Sequence, residues 1–115
     1  MSDSPCIFCR IVRGELPAAI VHRDEEVLAF HDSAPQAPTH ILILPIRHIA
    51  SVADLTDDDR ELAGRLLLAA ARIAEQVGLR AGYRLVTNSG RQAGQSVDHL
   101  HLHLLGGRPM KWPPG

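Results

Sequence analysis

The sequence predicts an α+β domain whose mostly antiparallel sheet is covered on one face by helices. Three observations support this prediction: a strongly patterned helix lies in the middle of the chain, short apolar strand patterns flank it, and turn residues separate the strands. The 115 residues suffice for one hydrophobic core, and no repeat, linker or low-complexity segment divides them. We therefore expect a single domain over residues 1–115.

The elements before the central helix are short. PCIFCRIVRGE predicts a small helix with Pro5 near its start, one apolar face and Gly14 as its end signal. AIVHRD and EVLAFHD, separated by acidic turn residues, predict a hairpin, and the proline-rich DSAPQAPTH predicts a loop. HILILPI then predicts a largely buried strand.

The central helix is predicted over residues 57–77. Thr56 is a favourable N-cap, and Gly78 stands where a helix commonly ends in a left-handed glycine. The apolar stripe consists of Leu62, Leu66, Ile73 and Val77, with Ala69 and Ala70 between them. A strand in GYRLVTN, a loop in SGRQAGQS and a strand that carries three histidines follow the helix.

Composition excludes several classes of function. A net charge of −1 and an aromatic fraction of 3% argue against a nucleic-acid-binding surface. The sequence contains neither a signal-peptide pattern nor an apolar run long enough to span a membrane. Two closely spaced cysteines are too few for a secreted disulfide framework. We therefore expect a cytoplasmic location. In that compartment a Cys6-x-x-Cys9 pair indicates metal or redox chemistry before a structural disulfide.

Residues 99–105 read HLHLHLL. On a strand the three histidines would share one face and the leucines the other, toward the core. The outer two Cα atoms would lie ~13 Å apart by strand rise, too far for all three imidazoles to bind one ion. The pattern favours a nucleophile or acid–base array over a solvated polar face, and the preceding glycine-containing loop could bind an anion.

Together, these motifs carry a resemblance to a known family. HLHLHLL fits the pattern of the histidine triad superfamily, and FHDSAPQAPTHILILP and LLGGRPMKWPPG are similar to its branch of histidine triad nucleotide-binding proteins, the purine nucleoside phosphoramidases. The resemblance implies a five-stranded antiparallel sheet with two helices, joined into ten strands in a homodimer. It also implies hydrolysis of purine nucleoside phosphoramidates and of acyl or aminoacyl adenylates.

The resemblance assigns roles to individual residues. His101 would be the nucleophile that takes the nucleotidyl group, and an Nδ1–H bond to a backbone carbonyl would leave its Nε2 lone pair free. His103 and Ser96 would hold the phosphate and the leaving group, and His40 would be a fourth histidine beside the triad. Nucleotide contacts would come from Asp32 (ribose), Asn88, Gly94, Gln95, Ser96, His101 and His103, with Ile7, Phe8, Ile11 and Phe30 as the apolar base pocket.

Bacterial-looking members with a Cys-x-x-Cys pair have a structural zinc site. The resemblance implies that its ligands here are Cys6, Cys9, His48 and His99, a closed four-coordinate set. No catalytic metal is expected, because imidazoles and backbone N–H groups can meet the phosphate charge. A redox Cys-x-x-Cys is the less favoured interpretation, since no strand precedes Cys6.

Two positions depart from the branch: Ser33 replaces an isoleucine that touches the base, and Asp98 replaces an aromatic residue before the triad.

Other functions remain open. The chain could be a nucleotide-binding regulatory or adaptor protein with little turnover, a dinucleoside polyphosphate hydrolase, or a metal-handling protein. The intact His101, His103 and Ser96 favour the enzyme.

Overall fold

The computed structural model describes residues 6–115. The helices and strands are, in chain order, α1 (Ile7–Val12), β1 (Ile20–Arg23), β2 (Val27–His31), β3 (Thr39–Pro45), α2 (Arg60–Gln76), β4 (Tyr83–Val86) and β5 (Leu102–Gly106). Within this range the five strands form one sheet in the order β1-β2-β3-β5-β4, and every neighbouring pair is antiparallel. The expected five-stranded antiparallel sheet with two helices is confirmed. Pro5, expected near the start of α1, lies outside the described residues.

The sheet is packed on both faces, which corrects the expectation that helices cover one face only. Alternate residues of β2 and β3 point to opposite sides. The residues on one side, which include Val27 and Ile41, pack on α2. The residues on the other side, which include Leu28 and Leu42, pack on Phe8 of α1. The short amphipathic α1 therefore covers the second face, beside the histidine segment.

The long helix begins slightly later than its sequence pattern predicts. Asp57–Asp59 form a single 3₁₀ turn, and α2 follows from Arg60. The Asp59 carboxylate accepts a hydrogen bond from the Thr56 N–H and pairs with Arg47, and these donors hold the Asp59 pKa below its usual value. Gly78 ends the helix with a left-handed φ of 80°, as predicted, whereas Val77 lies outside the apolar stripe and is exposed.

Candidate active site and metal cluster

The histidine segment is less regular than predicted. β5 begins only at Leu102, so the backbone of His99 and His101 lies outside the strand. The alternation nevertheless holds: Leu100 and Leu104 are buried in the α2-side core, while the Phe8 ring of the opposite face contacts the His99 and His101 rings edge-on. A solvated histidine face is excluded, since His99 is 0% and His101 7% exposed.

His99 is a buried imidazole whose two nitrogens have different partners. Its Nε2 lies 2.8 Å from the Pro45 carbonyl oxygen, to which it donates. The proton on Nε2 leaves a lone pair on Nδ1, which lies 3.3 Å from the Cys6 Sγ and 3.5 Å from the Cys9 Sγ. Burial lowers the pKa of His99. A neutral imidazole held in this way by a backbone carbonyl is the usual state of a metal-ligating histidine.

His48 completes a four-residue cluster. Its Nδ1 lies 3.2 Å from the Cys9 Sγ, and the ligand atoms of Cys6, Cys9, His48 and His99 all lie within 4.8 Å of one another. A tetrahedral ion with Zn–S and Zn–N bond lengths would separate its ligand atoms by roughly 3.3–3.8 Å. The cluster could therefore hold a metal ion with little rearrangement. The start of α1, the segment after β3 and the segment before β5 meet at this point.

His101 is oriented by two backbone-directed hydrogen bonds. Its Nδ1 lies 2.6 Å from the His99 carbonyl oxygen, so Nδ1 carries the proton, and its own carbonyl accepts from the Thr87 hydroxyl at 2.8 Å. The Nε2 atom has no hydrogen-bond partner among the described residues. Every buried side-chain nitrogen or oxygen in this part of the chain does have a partner. Nε2 is therefore not buried, and its lone pair is open to solvent.

His103 shows the opposite arrangement. The Gln36 N–H donates to His40 Nδ1 at 3.0 Å, so a neutral His40 carries its proton on Nε2. That nitrogen lies 2.9 Å from His103 Nδ1, which must accept, and the His103 proton is then on Nε2. These tautomers are assigned from the hydrogen-bond network. His101 thus offers an acceptor and His103 a donor, with their ring centroids 5.0 Å apart.

Burial keeps the His103 and His40 rings neutral. Burial is the main cause that lowers the pKa of His103 to about 4; the nearby His101 and His40 lower it further, and Asp32 opposes them. Burial also lowers the pKa of His40, against the effect of Asp32, whose Oδ2 lies 3.4 Å from His40 Nε2. At neutral pH the pair is uncharged, so His103 acts as a hydrogen-bond donor and not as a standing cation.

Asp32, His40 and His103 also bring three potential ligand atoms together. The Gln36 N–H argues against a metal there. A metal on His40 Nε2 would move the ring proton to Nδ1, where it would face the donating Gln36 N–H. This set is a hydrogen-bonded chain, whereas the cluster around His99 has lone pairs directed inward.

A cavity of about 480 Å³ lies in front of His101 and His103. Eight of the residues expected to bind or react with a nucleotide line it: Ile7, Phe8, Ile11, Phe30, Asp32, Ser96, His101 and His103. The cavity is also lined by residues that the sequence did not indicate, among them Pro17, Ala18, His31, Leu42 and Val97. Ser33, which departs from the family pattern, also lines the cavity.

Four residues expected at the nucleotide or catalytic site are not among the lining residues of this cavity. The Gln95 side chain is buried and holds its own loop: its amide accepts from the Gly90 N–H and donates to the Ala50 and Val97 carbonyls. Gly94 is a left-handed residue of the same loop, with φ of 91°. Asn88 directly follows the Thr87 that binds the His101 carbonyl. His40 acts through His103.

The resemblance implied a backbone carbonyl on His101 Nδ1, and the structure has the His99 carbonyl there. The other groups that hold the histidines were not identified from the sequence: the Pro45 carbonyl on His99, the Gln36 N–H on His40 and the Thr87 hydroxyl on the His101 carbonyl. Only Thr87, directly before Asn88 in GYRLVTN, offers a side-chain signal.

Across the part of the chain that the structure describes, no helix is long and apolar enough to cross a membrane.

Fold and site together define a histidine triad protein with a hydrolase-type fold. A family model described as "HIT domain" matches residues 13–110, and the chain belongs to this family. The chain is 53% identical over 109 residues to an uncharacterised HIT-like protein of Synechococcus elongatus, a match that covers 95% of this chain and 96% of that protein.

Solved structures agree. A HIT family hydrolase from Legionella pneumophila is 54% identical with a TM-score of 0.94, and the match covers 96% of this chain and 99% of that one. A histidine triad nucleotide-binding protein from Candida albicans is 31% identical with a TM-score of 0.80, and the match covers 94% of this chain and 82% of that one.

Proposed function

We propose that the protein is a nucleotidyl hydrolase that cleaves purine nucleoside phosphoramidates or acyl and aminoacyl adenylates and releases the nucleoside monophosphate. One observation carries the proposal: His101 Nδ1 is bound to the His99 carbonyl, so its unpartnered Nε2 is a nucleophile in a cavity of nucleotide size. The structure of a nucleotide-binding relative supports the ligand class.

The reaction divides into two displacements at phosphorus. His101 Nε2 attacks, the P–N or P–O bond to the leaving group breaks, and a nucleotidyl-histidine forms. The leaving amine must take up a proton as the bond breaks. Ser96 and the His103 Nε2–H lie at the cavity, where they can donate hydrogen bonds to the phosphate and the leaving group. Water then cleaves the P–Nε2 bond, and His101 is regenerated.

Substrate binding uses the two ends of the cavity. Ile7, Phe8, Ile11 and Phe30 offer an apolar surface for the purine ring. Asp32 lines the other part, with Oδ1 bound to the Ala34 N–H and Oδ2 beside His40, which leaves acceptor capacity for ribose hydroxyls. Asn88, Gly94 and Gln95 are proposed to support the phosphate side, Gln95 by shaping the loop. Ser33 is proposed to contribute to selectivity between adenine and guanine through its contact with the base.

We propose zinc as the ion of the Cys6, Cys9, His48 and His99 cluster. Two thiolates and two neutral imidazoles are a donor set that zinc prefers, and four protein ligands close the coordination sphere, which makes the role structural. Bound there, the ion would tie α1 to the segment after β3 and to the segment before β5. The reaction itself is proposed to need no metal, since His103, Ser96 and backbone N–H groups meet the phosphate charge.

The quaternary structure is proposed to be a homodimer with a ten-stranded sheet. β4 is an edge strand of the subunit, with Tyr83 exposed. A cavity of about 640 Å³, larger than that at the histidines, lies beside β4 and the C-terminal segment. It has no cluster of histidine, cysteine and acidic groups among its lining residues, so we assign it to subunit contact and not to chemistry. Neither nucleic acid nor membrane is proposed as a partner.

A turnover assay tests the enzymatic proposal. A fluorogenic adenosine phosphoramidate should be hydrolysed with release of AMP, and a quenched reaction should contain protein heavier by one adenylyl group. Guanosine and pyrimidine analogues of the same leaving group give the base preference. Tight AMP binding without turnover would favour the regulatory or adaptor alternative, and preferential cleavage of dinucleoside polyphosphates would favour that hydrolase class.

A further inference from the structure

The end of β5 contacts the loop formed by residues 32–38, which borders the candidate active site. Arg108 Nη2 donates to the Gln36 carbonyl oxygen at 3.2 Å. Gly107 has a left-handed φ of 92°, and a Cβ at this position would lie 2.8 Å from the Pro38 Cβ. Two adjacent residues therefore fix two points of the loop. We call Gly107 and Arg108 the loop clamp.

Gln36 connects the loop clamp to the histidines. Its carbonyl accepts from Arg108, and its N–H donates to His40 Nδ1 at 3.0 Å. This N–H is the group that makes His40 carry its proton on Nε2 and makes His103 Nδ1 an acceptor. The proton that His103 presents to the cavity thus depends on where one backbone N–H of the loop lies.

We propose that the loop clamp positions the Gln36 N–H and thereby fixes the tautomer of His103. Arg108 and Gly107 are positioning residues: neither lines the histidine cavity, and both act through Gln36 and His40. The effect on rate rests on the proposed function, whereas the effect on the tautomer does not.

Release of the loop would allow the His40–His103 pair to reverse. Without the Gln36 N–H, His40 can carry its proton on Nδ1 and accept at Nε2 from a protonated His103 Nδ1. His103 Nε2 would then present a lone pair to the phosphate oxygens, which repel it. Turnover should fall more than base binding, because the apolar residues Ile7, Phe8, Ile11 and Phe30 lie outside the loop, whereas the loop contributes only Asp32 and Ser33 to the cavity.

The experiment compares Arg108→Ala, Arg108→Lys and Arg65→Ala. Arg65 is the matched control, because it pairs with Glu26 at 3.1 Å and lines neither the histidine cavity nor the cavity beside β4. Long-range ¹H–¹⁵N spectra report which nitrogen of each histidine is protonated. Arg108→Ala should show both tautomers of His40 and His103 and a kcat about tenfold lower, less than the 100-fold or more of losing a general acid.

The companion variants make the test specific. In Arg108→Ala, KM and AMP affinity should change less than kcat. Arg108→Lys should restore part of kcat by donating to Gln36, and Arg65→Ala should match wild type. Wild-type spectra and kcat in both Arg108→Ala and Gly107→Ala would overturn the proposal, as would equal losses in Arg65→Ala. If the wild-type protein has no turnover, the proposed function fails, but the spectra still decide the role of the loop clamp.

Discussion

The Nδ1 atom of His101 lies 2.6 Å from the carbonyl oxygen of His99. The side chain of that same His99 faces the thiols of Cys6 and Cys9. One residue thus serves two sites, its side chain in the proposed metal cluster and its backbone at the proposed nucleophile. Because the carbonyl survives any substitution of the side chain, the two roles can be tested separately.

His101→Ala should abolish turnover and leave the fold intact. The substitution removes the nucleophilic Nε2 and the Nδ1–H bond to the His99 carbonyl, whereas the bond from the Thr87 hydroxyl to the His101 backbone carbonyl remains. AMP binding by calorimetry should persist, and no adenylylated protein should form. His22→Ala is the matched control, since His22 lies on β1 with Asp24 as its partner, away from the cavity. Substantial residual turnover in His101→Ala would contradict a histidine-linked intermediate.

His99→Ala should act mainly through stability. It removes a cluster ligand and with it the bound ion, whose binding free energy is folding free energy. We expect bound zinc, measured by elemental analysis, to be lost and the Tm to fall by roughly 10 °C or more, since a domain of this size loses about 4 °C per kcal/mol. Below that Tm, turnover should exceed that of His101→Ala.

Cys9→Ser and a chelator give the matching control for the cluster. Both should lower the Tm of the protein by similar amounts, and the chelator should have no further effect on the variant. A His99→Ala protein that keeps its zinc and its Tm but loses turnover as completely as His101→Ala would contradict the separate roles.

His103 should make the free energy of unfolding depend on pH. Its pKa is about 4 in the fold, below the ordinary value near 6.5 of an unfolded chain. Between these values the unfolded chain binds a proton that the fold does not, so this contribution is complete above pH ~6.5 and is lost as the pH falls toward ~4. The free energy of unfolding, measured by urea titration at each pH from 7.5 to 4.5, should depend less steeply on pH in His103→Gln than in wild type. Equal slopes would contradict a neutral, desolvated His103.

The C-terminal tail should shape both assembly and substrate choice. Trp112 is 82% exposed in the subunit, which is costly for so large an apolar surface unless a partner covers it. Trp112→Ala should raise the dimer dissociation constant in sedimentation experiments, and truncation before Lys111 should change the preference among leaving groups. A wild-type protein that is monomeric at micromolar concentration would contradict this expectation.

Added divalent cations should not be required for turnover. The cavity offers hydrogen-bond donors from His103 and Ser96, and Asp32 already binds the Ala34 N–H. Rates measured after removal of free metal, with the cluster ion retained, should equal rates with added magnesium. Strict dependence on magnesium would contradict the mechanism.

The sequence predicted the sheet and the helices because their signals are local, whereas the cavity residues followed from the family resemblance. Strand alternation, the Thr56 cap and the Gly78 end are set by neighbouring residues. The start of β5 at Leu102 was not predictable in the same way, because HLHLHLL alternates as a strand does. The segment is drawn out of the ladder by long-range bonds, including that from the Leu100 N–H to the Ile49 carbonyl.

The tautomers of His99 and His40 also lay beyond the sequence. The Pro45 carbonyl and the Gln36 N–H determine which nitrogen of His99 and of His40 is protonated. Every residue except proline has both groups, so no residue type marks the ones that matter. For His101, by contrast, the resemblance implied a backbone carbonyl on Nδ1, and the structure places the His99 carbonyl there.

The irregular backbone at His101 lies outside the regular strand, since the pairing of β5 with β3 begins at Leu102. The hydrogen bonds of the sheet therefore do not depend on the geometry that the proposed reaction requires. Changes at His101 that abolish or redirect that reaction should have small effects on the rest of the domain, whereas changes at His99 remove a ligand of the proposed metal cluster. A fold arranged in this way can diversify at its reactive segment, and descendants that keep the domain but lose the reaction are an accessible evolutionary outcome.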